Sequence, residues 1–117
     1  MAMKPIEFDG AVPVDGYGPG FFRVGGKVTQ GPVLVTAGGD RPWGGLEDGA
    51  ALLALAGQVD VLFLGMGATI IHPPAALAAK LKAAGIMVEV MASPTAARIY
   101  NVTLSEGRRV ACALLPL

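Results

Sequence analysis

The chain has 117 residues, of which nine are basic and nine acidic, so its formal net charge is zero. This length predicts one domain, residues 1–117, with a substantial buried core. Because the charges balance and no basic stripe exists, we expect no nucleic-acid partner. Hydrophobic residues make up 53% of the chain, but the apolar runs fall short of the ~20 residues that a membrane-spanning helix needs.

The chain contains a single cysteine, Cys112, which excludes a disulfide within one chain. It lies in an apolar run, which favours a small buried hydrophobic side chain. A lone cysteine is typical of a reducing compartment, and no signal pattern precedes Pro5. These observations predict a cytoplasmic protein.

The first third of the chain alternates short apolar runs with glycine-rich turns. Residues 14–20 surround Tyr17 with glycine and proline and predict a shaped loop. This loop either approaches a ligand or partner, or is a turn in which Tyr17 plugs the edge of the core. Two strand-like runs flank Gly25-Gly26 and predict a hairpin with a two-residue turn. Residues 32–36 then predict a buried strand.

The middle of the chain predicts a strand–helix–strand unit. A second glycine-rich loop, 37–45, holds Trp43, which either contacts a partner or caps the core from outside. A helix is expected over 46–56, and a buried strand over 59–64 is followed by Gly65-Met-Gly67. A helix that opens at Pro73 and Pro74 and continues to Ala84 is followed by another buried strand over 86–91, with Glu89 as the exception, and the two complete a βαβ unit.

The last third predicts a helix that follows Ser93 and is stopped by Gly107, and then a strand over 109–115. Ser93 can cap this helix and Pro94 fits its first position. Helical spacing gives it a buried side, formed by Ala96, Ala97, Tyr100 and Leu104, and a second side with Arg98, Asn101 and Ser105. Beyond the helix, Glu106, Arg108 and Arg109 predict a solvated charge cluster.

No catalytic constellation stands out. Gly65-Met-Gly67 follows a strand, but Ile70 replaces the third glycine of the dinucleotide fingerprint and no acidic residue ends the next strand. His72 is the only histidine, so clusters of several histidines around a metal are excluded. We expect no cofactor and no metal, and the sequence leans away from an enzyme.

A ligand pocket is nevertheless physically reasonable at the carboxyl ends of the parallel strands. There the glycine turn meets the N-terminus of the Ser93 helix, whose backbone N–H groups can accept an anion. The candidate ligand-binding residues are Tyr17, Gly65, Gly67, Ser93, Arg98 and Asn101. Each has a structural alternative: Ser93 caps the helix, Arg98 pairs with a carboxylate and Asn101 ties down a neighbouring loop.

Motifs along nearly the whole chain resemble one family of small uncharacterised bacterial and archaeal proteins. A mitochondrial relative of that family is the NADH dehydrogenase alpha-subcomplex assembly factor 3, a complex I assembly protein. The motifs are Asp15-Gly-Tyr-Gly-Pro-Gly20, Phe22-Arg-Val24, Trp43, Gly65-Met-Gly67 and residues 91–108. The segment 96–108 is the most specific of them.

The resemblance implies an α/β fold of three layers, with a mixed central sheet, helices on both faces and an added β-hairpin layer. It implies no catalytic residues, metal or cofactor. It favours a non-catalytic interaction or assembly-accessory protein with a protein partner in respiratory complex assembly. The alternative is a protein, or an enzyme of unknown reaction, that binds a small molecule or anion near Gly65–Gly67 and the Ser93 helix N-terminus.

Overall fold

The computed structural model describes residues 8–117, which form eight strands and three helices. The strands are Val14–Gly18 (β1), Phe21–Val24 (β2), Lys27–Gln30 (β3), Val33–Thr36 (β4), Gly39–Arg41 (β5), Val61–Gly65 (β6), Met87–Met91 (β7) and Val110–Leu114 (β8). The helices are Gly49–Leu53 (α1), Ala75–Ala83 (α2) and Ser93–Ser105 (α3).

A five-stranded mixed sheet forms the centre, in the order β5-β4-β8-β6-β7. Strands β8, β6 and β7 are parallel, whereas β4 and β5 pair antiparallel. The unit β6–α2–β7 confirms the predicted βαβ connection. The two prolines precede α2 rather than open it, and β7 is a partly exposed edge strand rather than a buried one, because no strand of the described residues pairs with its outer edge. Apolar residues fill β6 and β8 because helices cover both faces of these central strands.

Side chains alternate between the two faces of this sheet and so create two cores. Val61 and Phe63 face α3 and a second, antiparallel sheet formed by β1, β2 and β3. Leu62 and Leu64, one residue along, face the layer that contains α1 and α2. The predicted fold class, three α/β layers around a mixed sheet, is confirmed.

The added layer is a three-stranded antiparallel sheet, β1-β2-β3. Its hairpin turns at Gly25 and Gly26, with φ angles of 55° and 83° that suit glycine. The sequence predicted this hairpin but assigned β1 to a loop. Glycines hid the strand, because only Val14 of β1 is buried and no apolar alternation extends along it.

Two other elements differ from the expectation. Strand β5 lies within the predicted loop 37–45 and pairs with β4. Helix α1 spans only Gly49–Leu53 and is shorter than the predicted 46–56. Its start is set by Asp48, which occupies the N-cap and accepts a hydrogen bond from the Ala51 N–H at 3.4 Å. Trp43 is buried in the second core, and its indole donates to the Asp48 carbonyl at 3.2 Å.

Candidate functional site

The N-terminal end of α3 is packed directly against the glycine turn that follows β6. Ser93 is fully buried. Its hydroxyl accepts from the Gly67 N–H at 2.8 Å and donates to the Leu115 carbonyl at 2.6 Å. Ser93 is the first helical residue, and Ala92 holds the N-cap position with no side-chain cap. The expectation that the Ser93 hydroxyl caps the helix is therefore wrong, since it joins two other segments instead.

Gly65 is required by the close approach of strand and helix. A Cβ at this position would lie 2.7 Å from the Ser93 Cα and 2.9 Å from the Leu114 Cδ2. The backbone N–H of Ser93 donates to the Gly67 carbonyl at 2.8 Å. The glycines of the turn thus permit tight packing between β6 and α3, as glycines do where two backbones meet.

Beside this junction, α3 and β1 enclose a small crevice of about 170 Å³. Its lining includes Tyr17, Arg98 and Asn101. Tyr17 is 49% exposed and Arg98 is also exposed, so both side chains are accessible at its rim.

Asn101 and Tyr100 hold the segment before and at the start of β1. Asn101 accepts from the Val14 N–H at 2.9 Å and donates to the Val14 carbonyl at 2.7 Å, so its amide acts as a strand partner for that residue. The Tyr100 hydroxyl donates to the Val12 carbonyl at 2.9 Å. These contacts show that Asn101 has a structural role, because they tie the start of β1 to α3.

Burial, with Cys112 as a smaller cause, raises the pKa of Tyr100 far above its ordinary value of 10.0. Burial also raises the pKa of the Cys112 thiol well above its ordinary value of 9.0. Both groups therefore stay protonated at neutral pH. A protonated, fully buried thiol is a poor nucleophile.

The six candidate ligand-binding residues divide into two groups. The structure brings Tyr17, Arg98 and Asn101 together around the crevice. It places Gly65, Gly67 and Ser93 in the buried junction beside it. The role of all six in binding a ligand stays a prediction.

A larger cavity, of about 470 Å³, lies at the opposite end of α3. Its lining includes Arg41, Arg108 and Arg109. The sequence treated the last two as part of a solvated charge cluster and Arg41 as part of a loop. Local sequence does not predict that residues 41 and 108 lie near each other. They are far apart in the chain and are brought together because β4 pairs with both β5 and β8.

The turn after β6 leads into an exposed apolar segment. Ile70 is 66% exposed and Ile71 is 59% exposed. His72-Pro73-Pro74 follows, and the two prolines restrict the backbone before α2 begins. We call residues 68–74 the isoleucine loop.

Within residues 8–117, no group of three or more histidine, cysteine, aspartate or glutamate side chains is placed to hold a metal ion. Over the same residues, every buried side-chain nitrogen and oxygen has a hydrogen-bond partner. No helix in this part of the chain is long and apolar enough to cross a membrane.

Known proteins resemble the chain over most of its length. An uncharacterised protein of Rhodobacter capsulatus is 56% identical over 117 residues, covering 100% of this chain and 94% of that protein. The NADH dehydrogenase [ubiquinone] 1 alpha subcomplex assembly factor 3 of Danio rerio is 33% identical over 107 residues, which cover 86% of this chain. The chain spans only 62% of that zebrafish protein's length.

A solved structure shares the fold. The crystal structure described as an outer membrane protein from Bartonella henselae has a TM-score of 0.81 and 30% sequence identity, covering 94% of this chain and 98% of that one. The model of the family "Protein of unknown function (DUF498/DUF598)" matches residues 14–115. The match takes in all eight strands and all three helices. The chain therefore belongs to the DUF498/DUF598 family.

Proposed function

We propose that this protein is a non-catalytic interaction protein that assists the assembly of a respiratory NADH dehydrogenase. The observation that carries the proposal is the similarity to the zebrafish assembly factor, because it extends over 86% of the chain rather than over one motif. The chemistry of the interior is consistent with this role. Tyr100 and Cys112 are buried and protonated, and their contacts serve packing between layers.

The isoleucine loop is the contact surface that we assign to this role. Ile70 and Ile71 expose apolar side chains next to each other. Burying each of them in a partner would contribute roughly 1.5–3 kcal/mol. Pro73 and Pro74 stiffen the loop, which reduces the entropy lost on binding. The expected partner is a protein subunit of the enzyme with an apolar groove.

The test is a deletion of the gene in its own host, followed by measurement of the assembled NADH dehydrogenase on native gels and of its activity in membranes. We expect less assembled enzyme, restored by the wild-type chain. The double variant Ile70→Ser/Ile71→Ser should fail to restore it while keeping the thermal stability of the wild type.

The control is Val28→Thr, which changes an exposed apolar residue of β3 without altering side-chain shape. This variant should restore assembly fully. Unchanged enzyme in the deletion strain would contradict the assembly role. Full restoration by the isoleucine variant would instead contradict the contact surface.

A second candidate function is the binding of a small anion in the crevice of Tyr17, Arg98 and Asn101. It is supported by Arg98, which lines a crevice whose 170 Å³ suits a phosphate or carboxylate group. Asp15 also lines the crevice, and its carboxylate accepts a hydrogen bond from the Gly26 N–H. Titration with phosphate, followed by amide chemical shifts, should move the resonances of residues 14–17 and 94–101. The absence of shifts there, or equal shifts in Arg98→Gln, would remove this candidate.

We also propose a cytoplasmic location. It is supported by the buried free thiol of Cys112, which fits a reducing compartment. The Bartonella relative is described as an outer membrane protein, and cell fractionation can distinguish that location from the cytoplasm. Fractionation of the host should recover the protein with cytoplasmic markers, and recovery with outer-membrane markers would contradict this proposal.

A further inference from the structure

The cavity at the C-terminal end of α3 combines an apolar wall with a charged rim. Its apolar lining includes Val59, Leu104 and Val110, which are buried. Arginines from two separate parts of the chain complete the rim. We call this space the arginine cavity. Its volume of about 470 Å³ falls within the range of roughly 300–1,000 Å³ of small-molecule sites.

Two of the arginines are held in place by one residue, Gln58. Arg109 donates from Nε to the Gln58 carbonyl at 3.2 Å and from Nη2 to the Gly57 carbonyl at 2.6 Å. Arg41 donates from Nη2 to the Gln58 Oε1 at 3.2 Å. The Gln58 amide is itself fixed, since its Nε2 donates to the Ala54 carbonyl at 3.1 Å. The guanidinium groups of Arg41 and Arg109 thus have hydrogen-bond partners that orient them before any ligand arrives.

These contacts leave most of the hydrogen-bonding capacity of the arginines for other acceptors. A guanidinium carries five N–H donors and is always charged. The hydrogen bonds just described use two donors of Arg109 and one of Arg41. The remaining donors match the oxygens of a carboxylate or phosphate, which arginine binds in a bidentate manner.

The balance of charge favours an anion over a cation. Asp9 also lines the cavity, and α3 ends there with the partial negative charge of its C-terminus, roughly half an elementary charge. The three positive charges of Arg41, Arg108 and Arg109 outweigh the negative charges of Asp9 and the helix C-terminus, so the net charge of the cavity is positive.

We propose that the arginine cavity binds a small organic anion whose carboxylate or phosphate group meets the arginines and whose apolar body lies on the buried wall. The ligand is thus amphipathic, with one charged head. The site is separate from the isoleucine loop and from the crevice of Arg98. It therefore stands or falls independently of the role in assembly.

The test uses the full chain and two probes, phenyl phosphate and phenylacetate, with binding followed by amide chemical shifts and calorimetry. Benzyl alcohol serves as the neutral counterpart, and inorganic phosphate tests the charged head alone. We expect either or both aromatic anions to bind with a dissociation constant on the order of 1 mM or below. Shifts should concentrate at residues 36–41, 58–59 and 104–110, and binding should weaken at high salt.

Variants separate the site from general charge. Arg41→Gln/Arg108→Gln should weaken binding of the aromatic anions at least tenfold. Arg23→Gln, at an exposed position of β2, makes the same kind of charge change elsewhere and should leave binding unchanged. Arg109 is kept because its guanidinium also holds the carbonyls of residues 57 and 58. Thermal unfolding should confirm that all variants remain folded.

Several results would overturn the proposal. Aromatic anions that bind no better than benzyl alcohol would remove the role of the arginines. Inorganic phosphate that binds as tightly as phenyl phosphate would remove the role of the apolar wall. Equal weakening by Arg23→Gln, or shifts confined to the crevice around Arg98, would place the binding elsewhere.

Discussion

The two ends of α3 differ in how the chain closes over them. At the N-terminal end, β6, α3 and the segment after β8 meet with little space, and Ser93 joins all three by hydrogen bonds. At the C-terminal end, polar and arginine-rich segments surround an open cavity of about 470 Å³. The difference shows that a helix N-terminus beside a glycine turn is not in itself an open ligand site.

The physical cause lies in the chain that follows β8. The Leu115 N–H donates to the Gly65 carbonyl at 2.9 Å, so this segment covers the end of β6. At the other end, Arg41, Arg108 and Arg109 line the opening. Guanidinium groups keep their charge and are costly to bury, so they hold this end open to water.

The largest expected effect is from Gly65→Ala at the closed end. The new methyl group would collide with the Ser93 backbone, which cannot move away as a flexible side chain can. We expect a loss of about 3 kcal/mol in the free energy of unfolding, measured by urea denaturation. The control is Gly16→Ala, where an added Cβ meets nothing within 4 Å. Similar losses for both variants would contradict the close packing of this end.

Ser93→Ala should have the next largest effect. It leaves the Gly67 N–H and the Leu115 carbonyl without their partner in a buried place. We expect a loss of about 2.5 kcal/mol, since each unsatisfied buried group costs roughly 1–3 kcal/mol. Ser105→Ala is the matched control, because its hydroxyl bonds only within its own helix. A loss below about 0.5 kcal/mol for Ser93→Ala would show that water reaches this end.

Asn101, between the two ends, tests how firmly α3 holds β1. Asn101→Ala removes both hydrogen bonds to Val14. We expect a loss of about 1.5 kcal/mol, because the site is only partly buried and water can replace part of the interaction. Amide exchange should also speed up at residues 14–18. Unchanged exchange in β1 would contradict the role of Asn101 as the tie.

Alkaline pH should lower the free energy of unfolding, because Tyr100 in α3 and Cys112 in β8 are buried and lose their protons less readily in the folded protein. Because the folded state raises the pKa of Tyr100 and of Cys112, it holds both protons more tightly than the unfolded chain. This stabilisation is complete below their ordinary values of 9.0 and 10.0 and is lost as the pH rises above them. Each group contributes a slope of up to about 1.4 kcal/mol per pH unit.

The measurement is urea denaturation from about pH 8 to about pH 11. Tyr100→Phe should be less stable than the wild type at the lower pH, since it loses the bond to Val12. It should then decline less steeply with pH. An identical alkaline slope in the two proteins would show that Tyr100 does not titrate with unfolding.

The smallest effect is expected at the open end. Gln58→Ala removes the side-chain partner of Arg41, but water can take its place at an exposed position. We expect a change below about 0.5 kcal/mol in the free energy of unfolding. Anion binding in the arginine cavity should nevertheless weaken, because Arg41 loses its orientation. A large loss of stability would mean that this end is as closed as the other.

Local patterns predicted much of the fold. Gly25-Gly26 between two short runs predicted the hairpin, because the turn needs positive φ at both positions. The apolar run of β6, a helix and the strand β7 predicted the βαβ unit. The buried side of α3 followed from helical spacing, and Ala96, Ala97, Tyr100 and Leu104 are indeed buried.

The strands β1 and β5 were missed because their residues carry little pattern of their own. Val14–Gly18 contains two glycines, and Gly39–Arg41 is three residues long. Such strands form because a neighbouring edge offers hydrogen-bond partners, which the local sequence does not reveal. The candidate site was only partly predictable for a similar reason. Tyr17, Arg98 and Asn101 lie together because β1 packs against α3. The second cavity, which Arg41 lines, was not predicted at all.

The sequence by itself determined that β6 is a buried strand, since its residues form a continuous apolar run, and which side of α3 is buried, since helical spacing brings its apolar residues together. It also determined where the hairpin turns. Only the tertiary structure decided which end of α3 is closed and which is open. That outcome depends on contacts between residues far apart in the chain, such as Gly65 with Ser93 and Arg41 with Gln58. Their geometry is set by strand register and packing, which no local pattern encodes.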